Sequence, residues 1–139
     1  MICPYLTFNG DCAQALQHYG EVLGAKVDMM MRYGEAPPEM PCAPEHRDRI
    51  MHVRFSIAGD VIMASDSPPE YYQGKPNGIS VSLQINDPAE AERKFKALIE
   101  GGTVTMPFGK TFWSKGFGMG VDRFGIPWMI NAPADSYAA

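Results

Sequence analysis

Few side chains in this sequence can do acid–base or metal chemistry: there are three histidines and three cysteines among 139 residues. His18 falls on the polar face of an amphipathic segment, and His46 lies in a proline-rich stretch. Only His52 is placed by alternation, in Met51-His52-Val53-Arg54-Phe55-Ser56-Ile57. Successive side chains of a strand point to opposite faces, so Met51, Val53, Phe55 and Ile57 are expected against a helix, with His52 and Arg54 on the other side. A single imidazole serves proton transfer or plain hydrogen bonding equally well. Arg54 either favours an anion or pairs with a neighbouring carboxylate.

The same alternation sets Tyr5 and Thr7, then Ser80, Ser82 and Gln84, then Met63, Met129 and Asn131 on the face of His52. In the seventh strand it assigns Gly116, Gly118 and Gly120 to that face, where they would leave room. Phe112 and Trp113 either gate the mouth of the site or anchor a loop. The expected wall is neutral and polar, with a methionine floor and one basic pair, His52 and Arg54, and suits a small polar or aromatic molecule held by hydrogen bonds. The alternative for the ten methionines, Met29-Met30-Met31 among them, is gap-filling core.

Other chemistries find no support. Cys3, Cys12 and Cys42 have neither CxxC nor zinc spacing and read as reduced thiols of a cytoplasmic protein. No GxSxG elbow is present, and no local signature marks a catalytic residue. Gly116-Phe117-Gly118-Met119-Gly120 reads GxGxG, which in a nucleotide-binding fold lies between a strand and a helix. Here Asp122-Arg123-Phe124-Gly125-Ile126-Pro127 follows, a turn into a strand.

The elements that must carry these residues repeat. Pro4–Asp11 alternates and runs into a helix over 12–23, with Asp11 and Gln14 as a capping box and Gly24 as its stop. Ile79–Asp87 alternates and runs into a second helix, with Asp87-Pro88-Ala89-Glu90 as its start and Gly101-Gly102 as its end. Strands near 25–33, 50–57 and 61–65 follow the first helix, and strands near 103–107, 117–122 and 126–131 follow the second. The order is βαβββ twice: an α+β domain over 1–139, in modules 1–66 and 79–132 joined by 67–78. One helix covers one face of a four-stranded sheet, so two such modules are expected to form a curved mixed sheet with helices outside and an open cleft.

Composition narrows the partners. With 12 Lys+Arg against 16 Asp+Glu and a net charge of −4, no basic surface offers itself to nucleic acid. No window of about 18 apolar residues exists to span a membrane, and the N-terminus lacks the regions of a signal peptide.

The stretches Pro4–Cys12, Ile57–Asp66, Thr111–Gly118 and Asp122–Asn131 resemble the PhnB-like branch of the vicinal oxygen chelate superfamily, which includes glyoxalases, bleomycin-resistance proteins and extradiol dioxygenases. The resemblance covers essentially the whole chain and implies a glyoxalase-like fold. Metal-dependent members hold a divalent cation with His and Glu facing the cleft. A typical carboxylate position is the fourth residue after the turn glycine, which from Gly59 and Gly125 is Met63 and Met129. The usual histidine positions fall around Cys3, Pro4 and Tyr5 and at Ser80.

The resemblance therefore implies a homodimer that binds a small organic molecule without the usual metal and without another cofactor. The alternative is a metal-dependent lyase, isomerase or dioxygenase with His52 as its sole imidazole and an acid from 34–48. A methyltransferase label attached to this branch gains no support from the glycine run.

Overall fold

A computed structural model of the chain describes residues 1–37, 39 and 42–135. Pro38 and Pro41 of the proline-rich stretch lie outside the described residues. The elements are β1 (Tyr5–Phe8), α1 (Cys12–Leu23), β2 (Lys26–Arg32), β3 (Ile50–Ile57), β4 (Asp60–Asp66), β5 (Val81–Gln84), α2 (Pro88–Ile99), β6 (Thr103–Gly109), β7 (Ser114–Val121) and β8 (Pro127–Pro133). They fall into two compact units, Met1–Gly74 and Lys75–Ala139.

Each unit holds a four-stranded mixed sheet, ordered β1-β4-β3-β2 in the first and β5-β8-β7-β6 in the second. The strand before the helix pairs parallel with the last strand, and the remaining pairings are antiparallel. The architecture is therefore α+β, with the βαβββ order present twice.

Helical spacing explains each core. In α1, Cys12, Ala15, Leu16, Tyr19 and Leu23 are buried, as are Phe8, Val53, Phe55 and Ala64 of the first sheet. Tyr19 stacks on Phe55 with ring centroids 6.4 Å apart. In α2, Ala91, Phe95, Leu98 and Ile99 are buried, as are Trp128, Ile130 and Ala132 of β8. Gly24 ends α1 in the left-handed conformation at φ 71°, and Asp87 caps α2 by accepting from the Ala89 amide at 3.2 Å.

Two buried carboxylates fasten the strand ends. Asp66 is 1% exposed and accepts from the amides of Gly10 (2.7 Å), Cys12 (3.1 Å) and Ile50 (2.9 Å), so the end of β4 holds the β1–α1 turn and the start of β3. Asp122 accepts from the amides of Phe124 and Ile126 and from Trp128 Nε1 at 2.9 Å, which sets the turn into β8.

Several sequence expectations need correction. Gly116, Gly118 and Gly120 face the helix, not the face of His52: a Cβ there would stand 2.4 Å from Phe108, 3.0 Å from Phe95 and 2.9 Å from Ile99. The cause is one residue of turn length. Ile57 pairs with Asp60 across Ala58-Gly59, whereas the Asp122 amide bonds to the Ile126 carbonyl across Arg123-Phe124-Gly125. One added residue inverts the phase of the preceding strand.

In β3 the buried residue at the start is Ile50 and not Met51, because the register slips between the Met31–His52 and Arg32–Ile50 pairs. His18 is 6% exposed beside Tyr19, so the buried stripe of α1 is one position wider than apolarity suggests. Asp11 makes no side-chain capping bond to α1. The strand expected from the alternation of Ile79–Asp87 is limited to Val81–Gln84, the residues in ladder register with β8. Met29 and Met30 are 46% and 41% exposed on the edge strand β2, which no further strand covers within the unit.

Candidate functional site

Alternation leaves each sheet one face that its helix does not cover. In the first unit the register sets Tyr5, Met63, Arg54 and Met29 in one row across β1, β4, β3 and β2. Thr7 pairs with Ser65 and His52 with Met31 in the same phase. Tyr5 is 50% exposed, and His52, Arg54 and Met63 are half-buried.

The chemistry of that face centres on Tyr5 and His52. The Tyr5 hydroxyl lies 3.1 Å from His52 Nδ1, and the rings stack at 5.8 Å with an interplanar angle of 25°. With the phenol donating, the neutral imidazole carries its proton on Nε2 and offers it as a donor. Arg54 makes no ion pair or hydrogen bond among the described residues.

In the second unit Ser82, Met129, Met119 and Met106 form the corresponding row. Gln84 pairs with Asn131, which pairs with Phe117. Asn131 Nδ2 donates to Gln84 Oε1 at 2.8 Å, while Asn131 Oδ1 is buried without a partner among the described residues. Trp113 stands edge-on to Phe117 at 5.6 Å, and the 84% exposed Phe112 stands edge-on to Trp113 at 5.1 Å. Ser80 lies just ahead of β5 and pairs with no strand. The sequence reading missed Phe117 and Met119, which the inverted phase of β7 brings to this face.

It also missed a cavity of about 510 Å³ in the first unit, lined by Tyr33, Cys42, His46, Arg49 and Tyr71 among others. Tyr33, in the short turn that follows β2, donates to the Asp66 carbonyl at 2.8 Å, and Arg49 Nη1 donates to Asn9 Oδ1 and the Ser67 carbonyl, each at 3.0 Å. Burial, then the Asp66 charge, raises the Tyr33 phenol above its ordinary value of 10.0. Burial, reinforced by Asp66 and Asp11, pushes the Cys12 thiol far above the usual thiol range and keeps it protonated.

Donors for a metal are sparse. Among the described residues no three His, Cys, Asp or Glu side chains come together in a metal-holding group. The positions that would carry the acid hold Met63 and Met129, whose thioethers cannot neutralise a hard dication. The glycine run does not fit a nucleotide-type methyl donor either, since it lies within β7 and its open side is filled by Phe95, Phe108 and Ile99.

Comparison with known proteins gives the relationship. The model of a family described as 3-demethylubiquinone-9 3-methyltransferase matches residues 1–131. Protein YjdN of Escherichia coli (strain K12) is 35% identical over 140 residues, covering 94% of this chain and 93% of that protein. The crystal structure of PA1353 from Pseudomonas aeruginosa is similar at 45% identity and a TM-score of 0.86, covering 94% of this chain and 96% of that one. The PhnB protein from Bacillus cereus shares the fold at 24% identity and a TM-score of 0.77, over 94% of this chain and 97% of its own. This chain, with its two βαβββ units, belongs to that family, the PhnB-like branch of the vicinal oxygen chelate superfamily.

Proposed function

We propose that this chain binds a small organic molecule on the helix-free faces of its sheets without a resident catalytic metal. The observation that carries the reading is the paired placement of Met63 and Met129 at the centre of those faces, Met63 between Tyr5 and Arg54 and Met129 beside Ser82. A ligand on the face of the first unit meets Tyr5, Thr7, His52, Arg54 and Met63. A ligand on the face of the second unit meets Ser80, Ser82, Gln84, Trp113, Met129 and Asn131. Each face offers directed donors and acceptors over adaptable thioethers, which suits recognition by hydrogen bonds and shape.

Methyl transfer, which the family description names, gains no support from these side chains, because the GxGxG run at 116–120 sits inside a strand. A metal-dependent lyase, isomerase or dioxygenase would need ligands beyond the one imidazole of His52.

The working form is a cytoplasmic homodimer. The support is the apolar exposure of the edge strands, where Val27, Met29 and Met30 on β2 and Val104 and Met106 on β6 are each at least 41% exposed. A second copy would cover such side chains.

A thermal-shift screen tests the reading, since a ligand that binds only the folded chain raises its melting temperature. Small acids, phosphonates, quinones and aromatic antibiotics are screened on protein treated with EDTA. A concentration-dependent rise with at least one class is the expected result. No rise with any class would mean the faces are filled by their own side chains and serve a scaffold.

A further inference from the structure

We propose that the helix-free face of the first unit is an anion site, in which Arg54 holds the head group of a small organic acid. This inference rests on the ligand-binding reading above and names the class of ligand. Its first support is a charge imbalance. Arg54 is half-buried, its cross-strand neighbours are Met63 and Met29, and along β3 it is flanked on the same face by His52 and Ser56. The strand register sets no carboxylate opposite it or beside it on that face. The other formal charge of defined register there is a cation, Lys26, opposite Ser56 at the strand edge. Asp28 sits in the bulge between Val27 and Met29, is exposed, and makes no ion pair with Arg54.

A guanidinium drawn partly out of water without a counterion is held at a cost that a bound anion relieves. Its planar fork matches the two oxygens of a carboxylate or phosphonate. His52 adds a second donor when the Tyr5 hydroxyl, 3.1 Å from its Nδ1, donates to that nitrogen, since the ring then carries its proton on Nε2. The surroundings describe the rest of the molecule. Met29, Met31 and Met63 are flexible and apolar, and the stacked Tyr5 and His52 rings present a flat edge. The ligand is thus an organic anion with a flat or apolar body, and neither a cation nor a bare inorganic ion.

The test is calorimetric titration of the full chain with benzoate and phenylphosphonate, against neutral benzamide, cationic benzylamine and inorganic phosphate. The two organic anions are expected to bind at least about tenfold more tightly than the other three, and less tightly as sodium chloride rises. Arg54→Met is expected to lower benzoate affinity at least about tenfold, and Arg54→Lys to retain part of it. Arg54→Gln replaces the methionine variant if that one does not fold.

Equal affinity for benzoate and benzamide, unchanged by the Arg54 variants, would overturn the anion assignment and leave the ligand-binding reading standing. Phosphate binding as tightly as phenylphosphonate would remove the organic body from the proposal. No binding of any probe would overturn the anion assignment, and the ligand-binding reading would fall with it only if the thermal-shift screen also found no rise with any class.

Discussion

Replacing Asp66 by alanine should destabilise the first unit more than any change on its open face. The carboxylate is 1% exposed and accepts three backbone amides, those of Gly10, Cys12 and Ile50. Alanine leaves all three donors without their acceptor in a site closed to bulk water. Each buried unsatisfied amide costs about 1–3 kcal/mol, and the Gly10 amide is only part-buried, so the sum is about 3–6 kcal/mol. That is much of the ~5–15 kcal/mol that holds a domain folded.

Asp66→Asn is the discriminating partner. Its oxygen can still accept from Gly10 and Cys12, but its amino group meets the Ile50 amide donor to donor, so about 1–3 kcal/mol is expected. Urea unfolding followed by circular dichroism reads both variants, with the m-value checked for constancy. A loss under about 1 kcal/mol for Asp66→Ala would refute the reasoning, because the amides would then be satisfied without the carboxylate.

Further outcomes follow from the same contacts. Trp128→Ala should cost about 3–5 kcal/mol in urea unfolding, since the side chain is 1% exposed and its Nε1 donates to Asp122. Gly118→Val should destabilise by at least about 1–3 kcal/mol, because even its Cβ would stand 3.0 Å from the Phe95 ring, whereas Met119→Leu on the opposite face should be nearly neutral. Tyr5→Phe and His52→Ala should change stability by less than about 1 kcal/mol while weakening ligand binding.

The pH dependence has a defined sign. Cys12 and Tyr33 are both raised in the folded chain, so folding favours their protonated forms; that stability is intact below pH about 9 and declines as pH rises further. Urea midpoints measured from pH 8 to pH 11 should fall, and Cys12→Ala should flatten the first part of the fall.

The sequence carried the duplication clearly because each module opens with the same grammar of strand, acidic residue, helix and glycine stop. Period-2 alternation then placed Tyr5, His52, Arg54 and Met63 on one face; register sets Tyr5, Met63 and Arg54 in one row and pairs His52 with Met31 in the same phase. Alternation failed where a local irregularity sets the phase. The longer turn at 123–125 carried the glycines of β7 to the helix side and brought Phe117 and Met119 to the open face. The two modules differ there by a single residue, and glycine alternating with large side chains fits either phase. The slip near Met51 has the same origin in the bulge opposite Met31 and Arg32. Asp66 gave no signal, because its partners lie 16 to 56 residues away and are backbone amides. The cavity beside Tyr33 was hidden for a similar reason: its walls come from segments separated by β3 and β4.

The central claim is that methionines have replaced the acids of a metal site and left a face that recognises an organic ligand directly. Elemental analysis of the chain purified without chelator tests it most directly, combined with benzoate titration before and after EDTA. The account predicts no stoichiometric transition metal and the same benzoate affinity in both samples. About one metal per chain, with benzoate binding lost on chelation and restored by the metal, would contradict it.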